Sequence, residues 1–135
     1  MLSRRDLVAL LIVLGASALL RYAVVEPVAI RHACGAAPWD GWCGPRSLVM
    51  LPFRHREIGW FALLSASAAF VIHLRGAARA ATALAERLAR IGLLLGAAGL
   101  LLYSADPAAV AALLSAVTLA RIRARAHATP AVASA

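Results

Sequence analysis

Cys34 and Cys43 are the residues whose type and spacing most directly suggest chemistry. They are the only two cysteines, nine positions apart. In an oxidising compartment such a pair closes a short loop as a disulfide. On the chain-entropy account that bond contributes about 2–3 kcal/mol to a segment too small for a core of its own. Between the cysteines, Trp39-Asp40-Gly41-Trp42 reads as a tight Asp-Gly turn. A regular two-residue hairpin would set Cys43 opposite Pro38, so the Cys34–Cys43 bridge is expected to close an irregular loop. Cycling between dithiol and disulfide, the same pair would carry two electrons. Together with His32 and His55 it supplies the atom types of a tetrahedral zinc site. The spacing is unlike a compact zinc motif and oxidation competes, so neither a metal nor a cofactor is expected.

Glu86 is the other candidate. An acid inside a membrane-embedded helix marks a transport or proton path by default. Glu86 precedes Arg90 by four residues, the spacing of an ion pair on one helix face, and a salt bridge is the expected role. No Cys-x-x-Cys-His occurs for covalent haem. A b-type haem needs two facing intramembrane histidines, and only His73, near a helix end, is close. No nucleophile–base pair, phosphate loop or carboxylate dyad stands out, so an enzyme is not expected.

These residues must be positioned by apolar helices. Residues 7–20, 58–74, 91–105 and 107–120 contain no Asp, Glu, Lys or Arg, although the chain holds fourteen Lys plus Arg and six Asp plus Glu. Hydrophobic residues make up 63% of the chain, and its mean hydropathy is +0.82. A soluble helix shows a polar face every turn; Leu7 to Leu20 shows almost none. A span needs about 20 residues to cross about 30 Å of hydrocarbon. The four windows reach that length with flanking arginines, whose stems lie in apolar surroundings while their heads rise to the interface.

The expected fold is all-α: a four-helix integral membrane bundle with one disulfide-closed outer loop. Residues 1–125 form the single four-span domain, with helices at about 6–25, 58–74, 82–104 and 107–122. The outer loop is 27–57, and 126–135 is a flexible cytoplasmic tail. Glu26-Pro27 ends the first helix, because the residue before proline leaves the helical region. Asp106-Pro107 starts the fourth, with Asp as cap and Pro at the first position. Ser47 to Phe53 is apolar but too short to span, and is expected to lie over the bundle end. Trp39, Trp42 and Trp60 suit an interfacial aromatic belt.

In span count and loop cysteines the chain resembles the DsbB-like and vitamin K epoxide reductase families, which pass electrons from thiols to quinones. Those enzymes need a Cys-x-x-Cys pair and a second relay pair; Cys34 and Cys43 are one pair of different spacing, so the resemblance carries no redox role here. Small multidrug transporters are also four-helix chains of similar length. Their essential glutamate lies inside the first helix, where this chain has no acid.

The third helix carries a pattern of its own. Ala85, Ala89, Gly92, Gly96 and Gly99 alternate steps of four and three, drawing a small-residue stripe along one face that lets another backbone approach closely. Ala109, Ala112, Ala116 and Ala120 offer a matching stripe on helix four, and Ala62, Ser65 and Ala69 on helix two. The stripe serves either packing inside the chain or an oligomeric contact.

The net charge of +8 would suggest nucleic acid in a soluble protein, but no aromatic-plus-basic reading surface is present. With four crossings, nine arginines and two acids fall on one side, and five arginines and four acids on the other. The positive-inside rule then puts both termini in the cytoplasm. Arginine without lysine, and heavy alanine, resemble a GC-rich bacterial coding bias, so the expected place is a bacterial inner membrane. Met1 to Ala18, with Arg4-Arg5 and Ala16-Ser17-Ala18, also resembles a signal peptide. Apolar residues continue to Val25 and three more spans follow, which favours an uncleaved anchor. The expected function is a small multi-pass membrane protein, an accessory, assembly or interaction subunit. Its partners are the lipid bilayer and a membrane protein or a second copy. A thiol redox carrier using Cys34 and Cys43, and a small transporter, are the alternatives.

Overall fold

The computed structural model describes residues 3–26, 32, 34–35, 37, 39–54, 57–76, 79–102 and 105–132. Helix α1 is Arg4–Leu20 and passes directly into a π-helical turn, Arg21–Val25. Then follow α2 (Cys43–Arg54), α3 (Glu57–Leu74), α4 (Arg79–Leu101) and α5 (Ala105–Val132). There is no strand among the described residues.

Local chemistry accounts for the helix ends. Ser3 caps α1 in a reciprocal box: its hydroxyl accepts from the Asp6 N–H at 3.2 Å, and its own N–H donates to the Asp6 carboxylate at 3.1 Å. Gly76, at φ 58°, ends the α3 region in the left-handed conformation that glycine adopts without a Cβ penalty. Helix α5 begins at Ala105, so Asp106 and Pro107 sit inside its first turn, not at the cap. Proline is tolerated there because first-turn N–H groups have no intrahelical acceptor.

Three differences from the sequence expectation concern extent. Residues 43–54, expected as loop, form α2; Pro45 falls in its first turn, where it costs no hydrogen bond. Helix α5 runs on to Val132, through 126–132 of the expected tail, where Ala126, Ala128 and Ala131 have high helix propensity. Finally, three helices are long and apolar enough to cross a membrane: Arg4–Val24, Glu57–Leu74 and Ala105–Ala126. Helix α4 is not among them, because Arg79, Glu86, Arg87 and Arg90 load its first half with charge.

Helices α3, α4 and α5 pack mutually, and α1 lies against α4. The interior is built from small side chains. Ala62, Ala66 and Ala111 form one buried cluster, flanked by Leu63, Leu95 and Leu114. Ala69, Ala89 and Leu119 form a second. All five stripe residues, Ala85, Ala89, Gly92, Gly96 and Gly99, are buried. Gly92 lies at a close crossing: a Cβ there would stand 2.5 Å from Ser115 Oγ and 3.1 Å from the Ala66 nitrogen. At Gly96 it would stand 2.9 Å from the Ala108 carbonyl oxygen and 3.0 Å from the Ala112 nitrogen. The stripe therefore faces α3 and α5 of the same chain. On α5 the buried face is Ala108, Ala111, Ser115, Thr118 and Leu119, displaced by about one residue from the expected Ala109, Ala112, Ala116 and Ala120. Wedged between two helices, α5 turns the middle of that small-residue surface inward. Two hydroxyls bond back along their own helices, Thr118 donating to the Leu114 carbonyl at 2.7 Å and Ser65 to Ala62 at 2.9 Å, whereas the buried Ser115 Oγ has no partner among the described residues.

Candidate functional site

The two ends of the bundle carry different polar constructions. At one end lie Cys34 and Cys43, joined with S–S 2.02 Å and Cα–Cα 5.3 Å. Cys34 is 7% exposed. Cys43 is the first residue of α2, so the bridge ties that helix start to the segment before it. The intervening chain turns tightly: Asp40 N–H donates to the Ala37 carbonyl at 3.3 Å and Cys43 N–H to Asp40 at 3.0 Å, with Gly41 at φ 48°. A left-handed residue at this point is the role an Asp-Gly pair is suited to. Trp39 and Trp42 project outward beside it.

Arginine holds the same end to the bundle. Arg21, in the π turn, donates through Nε to Glu26 and through Nη1 to the Leu101 carbonyl oxygen, each at 2.9 Å. Leu101 ends α4, and a last-turn carbonyl lacks an intrahelical donor. The guanidinium thus caps α4 where the helix dipole is negative. Arg46, from α2, donates to the Val24 carbonyl at 3.2 Å.

Both sulfurs are spent in the bridge, His32 is exposed, and His55 lies outside the described residues. Among the described residues, no three His, Cys, Asp or Glu converge.

The opposite end is ionic. Glu86 accepts from Arg90 Nη2 at 2.6 Å across one helical turn. Arg90 also faces Asp6 on α1, Nε to Oδ1 at 3.4 Å, and the same carboxylate accepts from Arg123 Nη2 on α5. Asp6 therefore caps its own helix and joins three helices, with its side chain largely enclosed. Only its role as a charge flanking the first apolar run is legible in the sequence; its partners come from residues far along the chain.

Beside this cluster, between the end of α3, the start of α4 and the last third of α5, is a cavity of about 680 Å³. Its polar wall is His73, Arg79, Thr82, Glu86 and Arg125; Ile72 and Ile122 line the apolar side. His73 is only 6% exposed. Its Nε2 is sealed from solvent and has no hydrogen-bond partner. A buried polar atom without a partner costs about 1–3 kcal/mol. The sequence singles out His73 only as a lone helix-end histidine. Its spacing gives no signal, because Arg79 and Arg125 reach the cavity from other helices.

Compared with known protein families, with characterised proteins and with solved structures, the chain finds no match in any of the three.

Proposed function

We propose that this chain is a small multi-pass membrane protein of the bacterial inner membrane, crossing four times with both termini cytoplasmic. It acts as an accessory, assembly or interaction subunit and not as a catalyst. One observation carries the reading: the side chains are distributed inside out. Most of the buried residues described are alanine, glycine, serine or threonine, while Leu19 and Leu113 are each 70% exposed and Leu11, Ile12, Phe61 and Leu64 are close behind. Monomeric soluble proteins rarely expose contiguous apolar surface on this scale. In lipid the arrangement is favourable, since small residues let helices approach while large ones meet acyl chains. Exposed Trp39, Trp42 and Trp60 at the disulfide end suit an interfacial belt. The contact between Asp6 on α1 and Arg123 on α5 supports an even number of crossings.

Helix α4 crosses as the inner member of this bundle. Its charged first half lies at head-group level, with Glu86, Arg90 and Asp6 neutralising one another. The stripe on α4 is consumed by α3 and α5, so a partner meets the chain through α1 or the disulfide-closed segment. Extraction in mild detergent tests this. A stoichiometric companion chain or a second copy should co-purify and be lost when α1 surface leucines such as Leu11 and Leu19 become alanine. A clean monomer with unchanged envelope physiology on deletion refutes the subunit role. A polypeptide monodisperse in detergent-free buffer refutes the membrane.

A further inference from the structure

The cavity at the ionic end has the composition of an anion site. Arg79 and Arg125 bring two guanidinium groups to its wall, and Thr82 brings a hydroxyl. Glu86 is the one acid on the wall, and its charge is committed to Arg90 at 2.6 Å. Arg79 and Thr82 belong to the first turn of a 23-residue helix, whose dipole adds positive potential to the same wall. The second, independent observation is His73 Nε2, buried and without a partner. A neutral imidazole with its proton on Nε2 is a donor, the group an anionic oxygen needs. Guanidinium pairs match phosphate geometry better than any other cationic side chain. The volume exceeds what an inorganic phosphate fills, and Ile72 and Ile122 provide an apolar wall for something attached to it.

We propose that this cavity binds a phosphate ester, with the phosphate held by Arg79, Arg125 and His73 and the organic part lying against Ile72 and Ile122. Glu86 and Thr82 are placed to accept from hydroxyls of that organic part. A phospholipid head group and a free phosphomonoester present the same chemistry to these residues.

The test uses the full chain with 15N-labelled histidine in neutral detergent, the His73 signal being assigned with His73→Asn. Glycerol 3-phosphate is titrated in one arm. In the other, the protein is placed in phosphatidylcholine nanodiscs with and without phosphatidylglycerol. The expected result is a saturable shift of the His73 Nε2 resonance, with His32, His55 and His127 unmoved. Both Arg79 and Arg125 are exposed, so Arg79→Gln combined with Arg125→Gln should leave the helical fold intact by circular dichroism and weaken the response, measured from the variant's own ligand-free spectrum, about tenfold or more. A shift with glycerol 3-phosphate identifies a free ester as sufficient. A shift only with phosphatidylglycerol identifies the lipid. Two results overturn the proposal: no His73 response in either arm, or a response that the double arginine variant retains in full.

Discussion

Helix α1 and the α3–α4–α5 trio are joined in one chain yet held by opposite means. The trio is closed by contact along its whole length, with Ala62, Ala66, Ala69, Ala85, Ala89, Ala108 and Ala111 fully buried. Helix α1 buries only Ser17 along its length. It is fastened near its two ends, by Asp6 to Arg90 and Arg123 and by Arg21 to the Leu101 carbonyl. The trio depends on shape, which no single charge can undo. The attachment of α1 depends on a few polar bonds that one substitution can remove.

The contrast is sharpest for one substitution made in both regions. Gly96→Val drives a side chain into the Ala108 carbonyl and Ala112 nitrogen, neither of which can move without its helix. It should cost about 1–3 kcal/mol or more, read as a lowered unfolding temperature in detergent. Gly15→Val in α1 meets nothing within 4 Å and should stay within about 0.5 kcal/mol. Equal costs would break the comparison.

Next in size is Asp6→Asn, which leaves Arg90 and Arg123 without their shared carboxylate. The partly exposed arginines limit the loss to about 1–2 kcal/mol. Hydrogen exchange should quicken in α1 and stay slow in α3 and α5; uniform acceleration would mean that α1 is integral to the trio. Arg21→Met removes the cap on α4 and should cost about 0.5–1 kcal/mol, seen as faster exchange confined to the Leu101 end. Smallest for the trio is Cys34→Ser with Cys43→Ser. The bridge orders only its own segment, so proteolysis between residues 34 and 43 should accelerate while the unfolding temperature of the trio shifts by less than about 0.5 kcal/mol equivalent.

Features that repeat locally are legible in the sequence. The uncharged windows mark α1, α3 and α5, and the alternating four-and-three spacing marks the buried face of α4. The pairing of Glu86 with Arg90 follows from a single helical turn. Features that depend on distant segments are not. Asp6 meets Arg123 across 117 residues, a separation with no periodicity to betray it. The His73 cavity needs three helices to be placed before its wall exists. Helix α2 is masked by Gly44, Pro45 and Pro52, which argue against a helix unless Pro45 happens to fall in the first turn. The π turn at Arg21–Val25 leaves no mark in residue type, and the bonds Arg21 makes there, to Glu26 and to the end of α4, include a partner 80 residues away.

The link between Asp6 and Arg123 also sets an order of events during synthesis. The amino-terminal rod leaves the ribosome first, but the arginine that secures it is made 117 positions later. Until Arg90, Leu101 and Arg123 have been made in turn, the rod rests beside its neighbours only partly fastened, open to chaperone, insertase or companion chain. Truncations ending before residue 90 should therefore leave it most accessible to crosslinking reagents, and extending them past Arg90, Leu101 and Arg123 should close the access in steps.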